Sequence, residues 1–345
     1  MGNQQKLVDF FEKSQAVYQL EPWKYCADSD VFGVLVNETQ ELHFVSVMGG
    51  AKQCFGLATY RGIAGLDLYL AILDGLYEVD PTLVQRRQDG LLLEFVDQEY
   101  LDAGDLQFCR QGHLTAVNGK SWPYLREFAR GWSPGRPAEK DLEALKVIFS
   151  VLPSLIDLQK QDPTWSGKRG RNTFPVFTRS TANEPWQWSW WSDEQIVKTC
   201  ERLETSCGRV PLDESRLQQA KSLQKKEAAI WEAYSFYAPH AEDSSGRPFY
   251  PEVCVIMDRQ TEKCLAREII QPNQNRSGVL RDLALQSMCA QQLLPTGIVI
   301  EETELLKEML DLKRVLNVEF KINAAKFGRQ FEVAMFENAK VRTLS

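Results

Sequence analysis

The sequence is poor in the residues that most enzyme chemistry needs. Its 345 residues hold three histidines, His43, His113 and His240, set far apart along the chain. No Ser-His-Asp or Cys-His arrangement is readable from them, so a hydrolase built on such a triad has no signature here. A glycine-rich loop running into Lys-Ser or Lys-Thr is also missing, which removes the usual phosphate loop. Eight cysteines stand at positions 26, 54, 109, 200, 207, 254, 264 and 289, without one Cys-x-x-Cys pair. Structural zinc sites pre-assemble half of their tetrahedron from such pairs, so these thiols read as small buried hydrophobes. No apolar run approaches the roughly 20 residues of a membrane span. The opening MGNQQKLVDFFEKSQ lacks the apolar core of a signal peptide, and Lys6 stands where a myristoylation motif requires Ser or Thr. These absences predict a cytoplasmic protein with no membrane partner, and they call for no cofactor.

Basic excess is missing too. The formal net charge is −7. Residues 1–117 carry 8 basic and 17 acidic side chains, or −9, whereas residues 118–185 carry 11 and 7, or +4. A general nucleic-acid binder shows a stronger basic balance, so only one local basic surface in the middle is left to consider.

What is present is a globular composition, 43% hydrophobic and 25% charged, in a chain long enough for two or three domains. The clearest stretch is 22–62, PWKYCADSDVFGVLVNETQELHFVSVMGGAKQCFGLATYRG. Apolar runs at 32–37, 43–48 and 54–60, separated by a polar turn and by Gly49-Gly50, predict three short strands. Helical spacing predicts helices over 6–19 and 63–75, and 91–96 reads as a buried strand. A loop-rich stretch follows to Gly119. Residues 140–160 form a long amphipathic pattern in which Pro153 predicts a kink or break. Thr173 to Trp191 predicts a strand pair with Trp186, Trp188 and Trp190 on one face. The Gln/Lys/Glu-rich stretch 212–235 reads as a polar helix, and 238–251 as a Pro/Ser/Gly linker. Beyond it the pattern runs strand, turn, strand, helix, strand, helix, strand, which implies a mixed sheet with parallel crossovers.

Several groups carry chemical potential. Asp28 and Asp30, two apart before a strand, have the spacing to share a magnesium ion, or to form Asx turns. Bare amides at Met48-Gly49-Gly50 suit either an anion or a tight turn. Trp122, Arg126 and Arg130, with Lys168, Arg169, Arg171, Trp186 and Trp188, combine stacking faces with cations, as single-stranded nucleic acid or a protein partner requires. The alternative is that the tryptophans fill a core with arginines stacked on them. Asp258 and Glu301 end two strands of the last domain. That element order resembles a ribonuclease-H-like core short of one strand, and nucleases of that fold hold two metal ions on strand carboxylates. No third carboxylate follows the last strand, and both acids are equally placed to open a turn and a helix.

Pro22-Trp23, Tyr25, Asp28, Asp30, Phe32-Gly33-Val34 and Val47-Met48-Gly49, with Trp122-Pro123, Arg126 and Pro134-Gly135, resemble a family of uncharacterised bacterial proteins with an N-terminal domain of unknown function. The segment from Arg247-Pro248 to Ile322 resembles the second uncharacterised domain joined to it. The chain departs from that pattern at Gly50-Ala51-Lys52-Gln53, and its closing FENAKVRTLS carries no cysteine-rich zinc motif of the kind found in some relatives. The resemblance implies the architecture and a bacterial cytoplasmic setting. It implies no activity and supplies no catalytic residue.

The expectation is an α+β protein. An N-terminal antiparallel-sheet and helix domain spans 1–200, with 1–117 and 118–200 as alternative subdomains, a helical connector and linker span 201–246, and a compact α/β domain with a mixed, distantly ribonuclease-H-like sheet spans 247–345. The leading functional reading is a non-enzymatic binding protein with a protein partner. The competing readings are a metal-dependent nuclease or phosphodiesterase and a single-stranded nucleic-acid binder.

Overall fold

The computed structural model describes residues 2–79, 81–165, 173–181, 183–204, 211–238, 246–302 and 305–343. The basic loop carrying Lys168, Arg169 and Arg171, and most of the Pro/Ser/Gly linker with His240, lie outside the described residues. The chain divides into two compact units, one of Met1–Arg130 with Pro134–Ser206 and one of Gly131–Ser133 with Cys207–Ser345.

In the first unit, α1 (Gly2–Leu20) leads into β1 (Val31–Val36), β2 (Glu41–Met48) and β3 (Phe55–Arg61). Three helices follow, α2 (Gly62–Leu73), α3 (Leu76–Val79) and α4 (Pro81–Arg87), then β4 (Gly90–Asp97) and α5 (Ala103–Gln111). β5 (Ser121–Phe128), α6 (Glu139–Gln161), β6 (Thr173–Thr178), β7 (Gln187–Ser192) and α7 (Asp193–Glu204) complete it. The seven strands form one sheet in the order β5-β4-β3-β2-β1-β6-β7. All neighbours are antiparallel except β1 and β6, which run parallel. Alternation along the strands divides the core. Val34, Val45, Leu57, Leu93 and Phe177 meet α1 and α6 on one face, whereas Phe44, Ala58, Tyr60 and Phe174 meet α2 and α7 on the other.

Pro153 does not end α6, which runs on to Gln161. A proline inside a helix costs about 3 kcal/mol. Burial of each large apolar side chain returns about 1.5–3 kcal/mol, and Phe149, Val151, Leu152, Leu155 and Ile156 are all buried around it. The stretch expected to be loop before Gly119 contains α5. Its N-terminus is fixed by a reciprocal cap, with Asp102 accepting from the Asp105 amide at 2.7 Å and Asp105 from the Asp102 amide at 3.2 Å.

The second unit contains α8 (Glu214–Lys221), β8 (Lys225–Tyr237), β9 (Glu252–Asp258), β10 (Cys264–Ile270), α9 (Arg276–Gln291) and β11 (Leu294–Ile300). After these come α10 (Leu306–Leu316), β12 (Glu319–Ile322) and α11 (Lys326–Thr343). The helix expected over 212–235 is corrected: it stops at Lys221, and the remainder becomes β8, the middle strand of a sheet ordered β10-β9-β8-β11-β12. β8 is antiparallel to β9 and parallel to β11. It is a strand that the element pattern of the sequence did not show. Trp231 and Ala233 face the core under α8, α9 and α10, and Tyr234 and Phe236 face the smaller cluster under α11. Glu232 is fully buried. Its carboxylate accepts from the Phe327 and Gly328 amides at 2.8 and 3.0 Å, at the start of α11, and pairs with Arg259 at 3.2 Å. A helix N-terminus and a guanidinium together make that burial tolerable.

Candidate functional site

The residues singled out in the sequence do not converge. Asp258 and Glu301 are on or just beyond β9 and β11, which flank β8 rather than adjoin each other. Two strand spacings, roughly 10 Å, therefore separate their backbones across the sheet. Each carboxylate is engaged locally. Asp258 accepts from the Gln260 amide at 2.8 Å and opens the hairpin turn. Glu301 accepts from the Ala325 amide and from Arg329, both at 2.8 Å. Among the described residues no three His, Cys, Asp or Glu side chains are grouped to hold a metal ion.

The aromatic and basic candidates are also split. Trp122 and Arg126 are on β5 and Arg130 follows it, whereas Trp188 is on β7 and Trp186 directly precedes it; β5 and β7 are opposite edges of the sheet. Arg126 is committed within the unit, donating to both oxygens of Asp105 at 2.7 and 2.8 Å and stacking over Tyr124 at 4.0 Å. On the other edge, Trp165, Trp188 and Trp190 form a cluster with ring centroids 5.4–5.9 Å apart. Arg179 covers Trp186 at 4.5 Å and pairs with Glu38 at 3.2 Å. Trp186 donates to the Ser150 hydroxyl at 3.2 Å. Trp165 is buried and Trp186 and Trp190 pack partly against the core, whereas Trp188 is 36% exposed.

Asp28 and Asp30 turn inward on the backbone. Asp28 Oδ1 accepts from the amides of Gly49 and Gly50, both at 2.9 Å, and Asp30 accepts from the Ala27 amide at 3.0 Å. The bare amides after Met48 are thus already filled by a carboxylate. Gly49 has φ +133°, and a Cβ there would lie 2.7 Å from Trp23 Cβ and 2.8 Å from the Phe55 ring. Glycine is required because the aromatic cluster closes directly over the turn. Trp23 packs against Tyr18, Phe55 and Phe95 with centroids at 5.5, 5.1 and 6.2 Å.

That cluster forms the floor of a cleft. Where β3 starts, β4 ends and β5 starts, Tyr18, Gln53, Phe55, Glu94, Phe95, Val96, Asp97, Tyr100, Ser121 and Tyr124 line a cavity of about 570 Å³. This falls within the ~300–1,000 Å³ range of ligand sites. Glu94 lies between Gly56 on β3 and Tyr124 on β5. Gly56 cannot be enlarged, since a Cβ would meet the Leu93 carbonyl oxygen at 2.0 Å. Glu94 is half-buried, and burial raises its carboxyl above the usual carboxylate range. Among the described residues no hydrogen bond or ion pair is made to it. A carboxylate half out of water and unpartnered favours a proton or an incoming cation. A second cavity of about 500 Å³, near Lys6 and Glu139, differs because those two charges pair with each other.

Sequence reasoning missed Glu94, Tyr100 and Tyr124 as site residues. One signal was available: Glu94 interrupts the apolar run Leu91-Leu92-Leu93 and Phe95-Val96 in a strand read as buried.

At the other end of β3 stands a charge network. Arg61 donates to Asp89 at 2.6 Å and to Asp141 at 2.7 Å, with Glu41 and Glu127 each at 3.8 Å. Fully buried His43 meets Glu41 at 3.0 Å. Burial works to raise the Glu41 carboxyl, but the His43 hydrogen bond and charge and the Arg61 charge outweigh it and hold it below its ordinary value. Each of these side chains has at least one charged partner, although His43 Nδ1 and Arg61 Nε make no hydrogen bond, and through Asp141 the network ties the sheet to α6.

Among the described residues no helix is long and apolar enough to cross a membrane. Neither the curated proteins nor the solved structures yield a match to this chain. Residues 8–179 match the family described as Domain of unknown function (DUF7309), and residues 216–326 match Domain of unknown function (DUF6930). The chain therefore carries these two domains of unknown function in series, with the cleft inside the first and β8 inside the second.

Proposed function

We propose that the protein is a non-enzymatic binding protein, and that the cleft at the β3–β4–β5 end receives a segment of a protein partner. The observation that carries this reading is Glu94, a half-buried carboxylate without a partner, in a cleft whose rings run from buried Phe95 through half-buried Tyr124 to exposed Tyr100. Tyr100 is 68% exposed at the rim, where a solvent-facing ring has no packing role and a contact role fits. The setting belongs to the same proposal: a cytoplasmic protein, supported by seven described cysteines that are all free thiols, as a reducing compartment favours.

The test uses the full chain with fluorotyrosine at its ten tyrosines and a chemically diverse fragment set followed by fluorine NMR. Fragments are expected to shift Tyr18, Tyr100 and Tyr124, while buried Tyr60 and Tyr69 stay in place. If no fragment moves the three cleft signals, the cleft is not a binding site and the reading fails.

A further inference from the structure

The lining of the cleft has a chemical bias that narrows its occupant. It is lined by two carboxylates, Glu94 and Asp97, and by Tyr18, Phe55, Phe95, Tyr100 and Tyr124, of which Tyr124 is paired directly opposite Glu94 and so shares its face of the sheet, and the lining contains no Lys, Arg or His. Arg126, which stacks on Tyr124, is neutralised by both oxygens of Asp105 and is not free to turn toward Glu94. Aromatic faces attract cations through their quadrupoles, and a partly desolvated carboxylate adds a charge-assisted hydrogen bond. Residues 1–117 carry −9 overall, which extends an attracting field well beyond the cleft itself.

Resting on the binding reading above, we infer that the cleft seats a lysine side chain from a basic segment of a protein partner, with the ammonium on Glu94 and the aliphatic stem against the Tyr124 ring that shares its face of the sheet. Lysine carries its charge as a compact ammonium, a point charge that the one half-buried carboxylate, Glu94, can meet. Its four-carbon stem suits the apolar walls. A protein segment fits better than a free amine because the rim is open and the acidic field is broad, so flanking residues find both contact and charge complementarity.

The experiment titrates the fluorotyrosine-labelled full chain with the peptide Ac-Tyr-Lys-Tyr-NH2, its glutamine counterpart Ac-Tyr-Gln-Tyr-NH2, and n-butylammonium. The lysine peptide is expected to shift Tyr18, Tyr100 and Tyr124, and the glutamine peptide to bind about tenfold more weakly for want of the charged hydrogen bond. Glu94→Gln is expected to erase that preference while keeping the unliganded spectrum, since it removes a charge that burial already disfavours. Equal binding of the two peptides, or a preference untouched by Glu94→Gln, overturns the lysine inference and leaves the cleft as a binding site of another class. Butylammonium binding as tightly as the lysine peptide overturns the protein-segment assignment in favour of a free amine. No shift from any probe here, together with a silent fragment screen, removes the binding reading as well.

Discussion

Replacing Arg61 with methionine removes the guanidinium that joins Asp89, just before β4, to Asp141 on α6. Its side chain is only 15% exposed, and Asp141 beneath it is 5% exposed, so water cannot replace the lost partner freely. Breaking a buried pair from one side costs about 3–5 kcal/mol. Asp141 also accepts from the Ala138 amide at 2.8 Å, and Asp89 is a third exposed, so part of the stranded charge stays solvated or bonded. The loss therefore falls at the lower end, about 3 kcal/mol. For a unit of this size each 1 kcal/mol moves the melting midpoint by about 2–4 °C, giving a drop of roughly 6–12 °C. Scanning calorimetry of the full chain is the right assay, because two units need not melt as one transition. Adding Asp141→Asn to the Arg61→Met chain removes one orphaned charge and is expected to restore a measurable part of the loss, as coupled residues in contact do. A midpoint drop below about 2 °C in the single variant, or no recovery in the double, refutes the argument that Arg61 is holding these acids in place.

Three further outcomes follow from the structure. Asp28→Ala strips the acceptor from two amides and is expected to cost about 1–3 kcal/mol, while Gly49→Ala is expected to cost at least as much through its φ of +133° and the contact with Trp23; urea unfolding monitored by tryptophan fluorescence measures both. Burial works to raise the Asp105 carboxyl, but the Arg126 hydrogen bonds and charge outweigh it and hold it below the ordinary value of 3.8. Its contribution is then present above that value and lost as pH falls through the lower folded value, so the melting-point gap between wild type and Asp105→Asn should be full near neutrality and close in acid. Glu232→Ala uncaps α11 and strands Arg259, at a cost of about 3 kcal/mol, and hydrogen exchange should show lost protection at the start of α11 without change in β1–β7.

Much of the fold was legible because its signals were local. The strands β1 to β3 are bounded by turn residues, the β9–β10 hairpin by Asp258, and α9 and α10 carry apolar residues at helical spacing. β8 escaped because its first half, Lys225-Lys226-Glu227-Ala228-Ala229, has helix-forming residues, and its second half is buried on both faces, so no alternation marks it. Its conformation is set by β9 and β11, partners that appear later in the chain. α5 escaped for a different reason: it buries little beyond Asp105 and Cys109, and its cap is made by two acids that read equally well as loop. The candidate site was less visible still. The three strands within 22–62 were legible, but the cleft is assembled from α1, β3, β4 and β5, whose neighbours only the sheet order determines. The tryptophans mark the two edges of the sheet, whereas Glu94 stands as a lone acid inside an apolar strand, a signal that spacing alone does not weigh.

The position of β8 also sets the order in which the second unit can be completed. β8, β9 and β10 are adjacent in sequence and form an antiparallel meander on their own, but the other edge of β8 waits for β11, with Ala233 pairing beside Ile300. During synthesis, a chain that has not yet reached β11 exposes the unpaired edge of a strand bearing Ile230, Trp231 and Tyr234. Such edges template association with other chains. Interruption anywhere between residues 270 and 294 would thus leave the product most prone to aggregate, and a chaperone acting on the nascent chain would find its longest-lived client surface there.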